Sequence, residues 1–146
     1  MTKKLVAIPI LFILISLVGI KYLIPLDKSV YKEIKKEDVL RIESWGIKAF
    51  SHSPTEIKDP VLFDNIIKWF NNSSDIRENP EFAGTTPEAG INIILKSGKG
   101  ISILEGARDF EVQRDDVRDK NISYFAVQKD IGEYLEHLRS GGEIDE

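Results

Sequence analysis

GINIILKSGKGISIL, residues 90 to 104, contains two short apolar runs in which a polar residue alternates with isoleucines. Such alternation is typical of a β-strand with one buried face, and the loop Lys96-Ser97-Gly98 supplies a glycine where a three-residue hairpin loop needs a left-handed backbone. The stretch therefore predicts a hairpin with one continuous apolar face that other elements must cover. The predicted pairs are Ile93 with Ile101, Ile91 with Ile103 and Asn92 with Ser102.

Further strands are predicted on both sides of this hairpin. Residues 40–43 alternate apolar and charged side chains, and Ser44-Trp45-Gly46 interrupts the alternation, which indicates a bulge or turn at Gly46. Residues 110–113 alternate in the same way, and residues 122–127 are predicted to form one more strand. The polar stretch from 71 to 87 is expected to be a long loop.

Two amphipathic helices complete the predicted domain. Asp59 is a suitable N-cap for a helix that starts at Pro60, and Asp130 with Glu133 has the spacing of a cap and its third helical residue. Gly141-Gly142 is expected to end the second helix. The residues expected on the apolar faces are Leu62, Phe63, Ile66, Ile67 and Phe70 in the first helix, and Ile131, Tyr134, Leu135 and Leu138 in the second.

The predicted fold class is α+β, with an N-terminal transmembrane helix followed by an antiparallel sheet of four to five strands and two helices packed on one of its faces. We expect residues 1–26 to be a membrane anchor, 27–38 a charged tether, 39–140 the α+β domain and 141–146 an acidic tail. Trp69 is expected to be a partly covered core residue. Trp45 is also expected in the core, with presentation to a partner as the alternative.

The anchor prediction rests on residues 5–26, whose only charge is Lys21. As a helix this stretch would reach roughly 33 Å, which matches the apolar thickness of a bilayer. A cleaved secretory signal is the alternative, but no pair of small residues stands at cleavage-site spacing after the apolar run. Counting lysines alone would place the C-terminal side inside, whereas a short basic leader favours export of the following domain. We expect the cell membrane, a single pass and an extracytoplasmic C-terminal domain.

The charge of the chain argues against nucleic acid as a partner. From Asp27 onward, 17 Lys and Arg stand against 24 Asp and Glu, a net charge of −7, because three of the lysines belong to the opening segment. Proteins bind phosphate backbones through clustered basic groups, and here the basic residues are dispersed among more numerous acids. The expected partners are the membrane, through the N-terminal helix, and a protein of the cell envelope.

No catalytic, metal or cofactor site is predicted. His52 and His137 are expected to be surface histidines, because no motif supplies convergent partners for either. RDDVRD, at 114–119, lacks the glycine and glutamate of a calcium loop and is expected to be a solvated turn. SGKG, at 97–100, fits a hairpin loop better than a phosphate-binding loop. The chain has no cysteine, which excludes a disulfide or thiolate zinc site.

The predicted elements follow in a characteristic order: a strand, a helix that starts with Asp-Pro, a hairpin and the closing pattern YFAV-x-x-D-I-x-x-Y-L at 124–135. Over roughly residues 38–139 the chain resembles small proteins of Gram-positive bacteria that lie outside the membrane, are anchored by a signal sequence or a lipid, and have no established function. The chain lacks the cysteine of the lipid-anchored members. The resemblance implies the fold and the location and no site residues.

These observations favour a membrane-anchored, extracytoplasmic module that binds a partner or ligand without catalysis. Two alternatives stay open. One is an enzyme whose acids and histidines converge only in the folded chain, since catalytic groups are assembled from distant positions. The other is a secreted protein whose opening segment has been removed.

Overall fold

The computed structural model of the chain describes residues 30–47, 53–78, 86–107, 109–117 and 120–141. They form a seven-stranded antiparallel sheet and two α-helices, which confirms the α+β class. The strands are β1 (Val39–Gly46), β2 (Thr55–Glu56), β3 (Ser74–Glu78), β4 (Ala89–Leu95), β5 (Gly100–Leu104), β6 (Phe110–Arg114) and β7 (Ile122–Val127). The helices are α1 (Pro60–Asn71) and α2 (Lys129–Ser140), and Lys36–Asp38 forms one 3₁₀ turn.

The strand order is β2-β1-β4-β5-β6-β7-β3, with every neighbouring pair antiparallel. The predicted hairpin forms its centre, and all three predicted pairs are confirmed in the register of β4 and β5. Gly98 has a φ of 82°, the left-handed conformation expected of the loop glycine. Ile91, Ile93, Ile101 and Ile103 are buried, and the two helices contribute to the same core.

The sheet has more strands than the four to five predicted from the sequence. The addition is clearest at β3, which lies within the stretch expected to be a long loop and pairs with β7 at the edge of the sheet. Its sequence SDIRE has almost no apolar signal, because Ile76 is its one apolar residue and packs against the core. The pairing is irregular between Ser74 and Arg77, and Asp75 between them has a left-handed φ of 50°.

A bulge or turn was predicted at Gly46: β1 pairs regularly from Arg41 to its last residue, Gly46, so there is no bulge, and a turn begins at the next residue, Ile47. Gly46 pairs with Ala89, and the irregularity lies instead between Val39 and Arg41, where Leu40 is 56% exposed. Gly46 is present for a different reason: a Cβ there would lie 2.3 Å from the carbonyl oxygen of Leu138. The glycine allows α2 to approach the sheet closely.

The helix ends agree largely with the sequence. Asp59 caps α1, its carboxylate accepting from the amides of Val61 and Leu62 at 2.9 and 3.2 Å. The cap of α2 is Gln128, not Asp130, because the Gln128 side chain accepts from the amide of Ile131 at 2.7 Å. Gly141 ends α2 with a φ of 88°. The residues buried by the helices are Ile66, Ile67 and Phe70 in α1, and Ile131, Leu135 and Leu138 in α2.

The described part of the expected charged tether, residues 30–38, packs on the domain, in contrast to the solvated segment predicted from its charges. Ile34 is only 5% exposed, and its amide and carbonyl both pair with the Asn71 side chain at 2.8 Å. The Tyr31 hydroxyl donates to the carbonyl of Phe70 at 2.8 Å. Burial, followed by the nearby Tyr124 and Glu33, raises the pKa of Tyr31 to about 12. Val30, Tyr31 and Ile34 therefore pack against the core and dock a segment whose composition is otherwise largely charged.

Arg114, expected in a solvated turn, is the most consequential correction. Its side chain is 0% exposed and forms two bonds to the Asp116 carboxylate, at 2.7 and 2.8 Å. It also donates to the carbonyl of Lys32 at 2.9 Å and lies 5.5 Å from the ring centre of Phe70. One guanidinium thus joins β6, α1 and the segment before β1.

We predict that Gly46→Ala destabilises the fold by about 1–3 kcal/mol, because the new methyl group would overlap the Leu138 carbonyl and push α2 off the sheet. The matched control is Gly132→Ala in α2, where a Cβ meets nothing within 4 Å. That change should stabilise the helix by about 0.5–1 kcal/mol. Urea unfolding of the two variants measures both effects, and equal stability of Gly46→Ala and the native chain would refute the close approach.

We predict that Arg114→Ala costs about 3–5 kcal/mol of unfolding free energy, because it leaves the Asp116 carboxylate buried without its partner. Lys36→Ala serves as the control, since the Lys36–Asp64 pair is largely exposed and should contribute at most about 1 kcal/mol. Thermal or urea unfolding separates the two cases. Similar losses for both variants would contradict the anchoring role of Arg114.

Candidate binding groove

A groove of about 450 Å³ lies at the end of the sheet where β6 begins and β7 ends. One wall is the connection between β5 and β6, at residues 105–107 and 109. The other wall is the first half of α2, and Val127 and Gln128 close the groove where β7 leads into that helix. Three segments that are distant in sequence therefore meet because β6 and β7 are adjacent and antiparallel.

The floor of the groove is apolar. Phe110 is the first residue of β6 and is 3% exposed, and Leu135 lies one turn after Ile131 on the buried side of α2. Val127 adds a partly exposed aliphatic surface at the end of β7. Phe110 and Leu135 are almost fully covered, so a ligand that enters the groove would make its apolar contacts mainly with Ala107 and Val127.

The rim of the groove is acidic. Its described residues include four carboxylates and one ammonium group, which are Glu105, Asp109, Glu133, Glu136 and Lys129. Carboxylates around an apolar floor suit an amphipathic cation, because a long basic side chain places its methylenes on apolar surface and its charge at the edge. The arrangement can hold such a group by contact and by charge.

Arginines outside the lining hold most of these carboxylates in place. Arg139 lies 2.8 Å from Glu105 and 2.5 Å from Glu136, and Arg77 pairs with Asp109. A fifth carboxylate, Glu88, lies 3.9 Å from Arg139. Among the residues that the structure describes, five acids thus share three cations around the groove, since Lys129 pairs with Glu133 at 3.5 Å. The carboxylates are positioned while the surroundings keep a negative balance.

Two glycines shape the walls. A Cβ on Gly106 would lie 2.2 Å from the carbonyl oxygen of Asp109, so the connection before β6 can turn tightly only with glycine there. At Gly132 in α2, by contrast, there is room for a side chain, because a Cβ would meet nothing within 4 Å. A glycine inside a helix costs about 1 kcal/mol relative to alanine. Its absent side chain leaves the groove wider at that point.

Glu105 is the rim residue with a perturbed pKa. Burial raises the pKa of its carboxyl above the ordinary value, and Arg139 lowers it in part, while the neighbouring Glu136 and Glu88 raise it again. The fold therefore favours the protonated form of Glu105, so this residue contributes stability fully below its ordinary pKa and loses that contribution as pH rises through the folded pKa. A cation bound at the rim would relieve this cost at neutral pH.

The residues considered from the sequence that the structure describes lie outside the groove. His137 is exposed on α2 and does not line it, and His52 lies outside the described residues. SGKG forms the hairpin loop, and Trp45 lies on the sheet face away from α2, across Gly90. Within the ranges that the structure describes, no three His, Cys, Asp or Glu side chains are grouped to hold a metal ion.

Sequence reasoning assigned no residue to this groove. Its acids come from the end of β5, the start of β6 and α2. In the sequence, each of them is indistinguishable from an ordinary surface charge. The one available signal was Gly132, which interrupts a helix pattern without a turn or a cap to explain it.

We predict that NMR titration of the side-chain carboxyl carbons gives Glu105 a pKa above its ordinary value, and that Arg139→Gln raises it further by removing a neighbouring positive charge. Arg77→Gln is the matched control, because Arg77 pairs with Asp109 and neither residue contributes to the raised pKa of Glu105, which should stay unchanged. A lower Glu105 pKa in Arg139→Gln would contradict the described geometry.

Comparison with known proteins gives no relative: no family model, no curated protein and no solved structure matches the chain. The resemblance to anchored proteins of Gram-positive bacteria therefore stays a prediction. Any function assigned to the chain rests on its own residues and their arrangement.

Proposed function

We propose that this chain is a membrane-anchored, extracytoplasmic and non-catalytic binding module whose groove at β6, β7 and α2 takes a basic, partly apolar segment of an envelope protein. The observation that carries the proposal is an apolar lining, in which Ala107 and Val127 are accessible above the buried Phe110 and Leu135, inside a rim whose described residues have an excess of carboxylates. The excess of carboxylates favours a positively charged partner, and the apolar lining supplies contact area.

The size of the groove fits a few side chains better than a whole domain face. Sites for drug-sized ligands have volumes of about 300–1,000 Å³, and 450 Å³ lies in that range. One or two lysine or arginine side chains with an apolar neighbour would fill such a space. Each charge would lie at the rim, where Glu105 and Glu133 are placed on opposite walls.

The sequence supports the membrane part of the proposal. Residues 5–26 are long and apolar enough to span a bilayer, and they follow a short basic leader. They lie outside the described residues, and among the residues that the structure does describe, no helix is long and apolar enough to cross a membrane. The resemblance to anchored Gram-positive proteins gives the same location.

We predict that a hexapeptide of alternating lysine and leucine, acetylated and amidated, binds the full chain in a maltoside detergent and shifts the amide NMR signals of Gly106, Ala107 and Gly132. Gly132→Leu should weaken binding at least tenfold, about 1.4 kcal/mol, because the new side chain occupies the groove. High salt should weaken it as well.

Two controls make this titration specific. A glutamate–leucine hexapeptide of the same length should leave the groove signals unmoved, because it would meet the carboxylate rim with like charge. His137→Leu adds the same side chain to α2 outside the groove and should bind as the native chain does. Equal shifts with both peptides, or none with the basic one, would refute the proposed partner chemistry.

We predict that the chain sediments with the membrane fraction and that protease added to intact cells removes the domain beyond Leu26. Alkaline carbonate should not release it, because a spanning helix is held by its apolar surface. A freely soluble chain that starts after residue 20 would refute the anchor, and full protection from protease would refute the outward orientation.

A further inference from the structure

The segment before β1 attaches to one end of the sheet. Arg114, the last residue of β6, donates to the carbonyl of Lys32, and the amide of Lys96 in the hairpin loop donates to the carbonyl of Asp38 at 2.9 Å. We call this end of the domain the dock end. It comprises residues 30–38, the hairpin loop at 96–100, and the connection from β6 to β7 at 114–117 and 120–121.

The groove lies at the opposite end of the same strands. β6 runs from Phe110, in the groove floor, to Arg114, at the dock end, and β7 runs from Ile122, beside Arg114, to Val127 in the groove. The four residue steps of β6 alone separate the two ends by about 14 Å. The antiparallel pairing of β6 and β7 fixes this separation, so no side-chain movement brings the groove to the dock end.

The covalent chain keeps the dock end near the proposed anchor. Four residue steps join Leu26, the last residue of the apolar stretch, to Val30, and a fully extended chain covers at most about 14 Å in that distance. The contacts of Ile34 with Asn71 and of Tyr31 with Phe70 begin immediately afterwards. Little free chain is left between the bilayer and the folded domain.

The two ends also differ in charge. The dock end carries seven basic against five acidic residues: Lys32, Lys35, Lys36, Lys96, Lys99, Arg114 and Lys120 against Glu33, Glu37, Asp38, Asp115 and Asp116. The described residues of the groove end include five carboxylates against three cations, which are Glu88, Glu105, Asp109, Glu133 and Glu136 against Arg77, Lys129 and Arg139. A weakly basic end suits the phosphates of lipid head groups, while the acidic end is repelled by an anionic surface.

From these observations we infer that the domain stands on the membrane in one fixed orientation, with the dock end on the lipid surface and the groove opening away from it. This inference rests on the proposed anchor. It deepens the proposed function, because the basic segment that the groove takes must then come from a partner that reaches beyond the membrane surface, not from another membrane span.

The native chain has no cysteine, so single labels can be introduced directly. We propose to attach a fluorophore at the exposed positions Lys99→Cys and Lys120→Cys at the dock end, and at Ala107→Cys and Lys129→Cys at the groove end. The full chain is reconstituted into vesicles of phosphatidylcholine and phosphatidylglycerol that contain a lipid with a nitroxide head group. Both dock-end labels should be quenched at least threefold more than both groove-end labels.

A released variant tests whether the docked segment sets the orientation. Asn71→Ala with Tyr31→Phe removes the side-chain bonds to Ile34 and Phe70 without touching the groove. The difference in quenching should fall to less than half, while near-ultraviolet circular dichroism shows that the domain stays folded. An undiminished difference would overturn the role of these contacts.

The outcomes separate the inference from the proposal beneath it. If the full chain does not float with vesicles in a density gradient, the anchor is wrong and the orientation is wrong with it. If it floats and all four labels are quenched equally, or the groove end is quenched more, the anchor stands and the orientation is refuted.

Discussion

The apolar face of the central hairpin is the constraint on which the rest of the structure depends. Its four isoleucines face one side of β4 and β5, and each would cost roughly 1.5–3 kcal/mol if left in water. Both helices and the segment before β1 lie over that face, and the flanking strands extend it with Ile42, Val112 and Tyr124. The other face carries polar pairs such as Asn92 with Ser102 and needs no such cover.

Arg114 is the polar counterpart of this apolar layer. A buried guanidinium is stable only when its donors are satisfied, and here the Asp116 carboxylate, the Lys32 carbonyl and the Tyr124 hydroxyl accept from it. Burial is the largest single effect and lowers the pKa of Arg114, but Asp116 and Tyr124 together outweigh it through their hydrogen bonds and charges and raise the pKa. Arg114 therefore stays charged, and its hydrogen bond to the Lys32 carbonyl holds the segment before β1 against β6.

The sequence predicted the elements with strong local signals and missed those whose signal is tertiary. The hairpin register and α1 could be read directly, because alternation, a loop glycine and the Asp59-Pro60 cap are short-range features. β3 and the docked residues 30–38 could not, since their charged composition is that of solvated chain and only their partners reveal them. The groove escaped for the same reason: its acids converge only after β6 and β7 pair.

If the domain is held on a membrane as proposed, the irregular strand β3 has a further consequence. Molecules that share one membrane and one orientation meet far more often than molecules in solution, and they meet with their sheet margins aligned. A regular edge strand would allow two copies to pair edge to edge through backbone hydrogen bonds. The left-handed Asp75 interrupts the edge, and the charges of Asp75, Arg77 and Glu78 disfavour pairing with a second copy. Neighbouring copies on one membrane should therefore stay separate, each with its groove accessible.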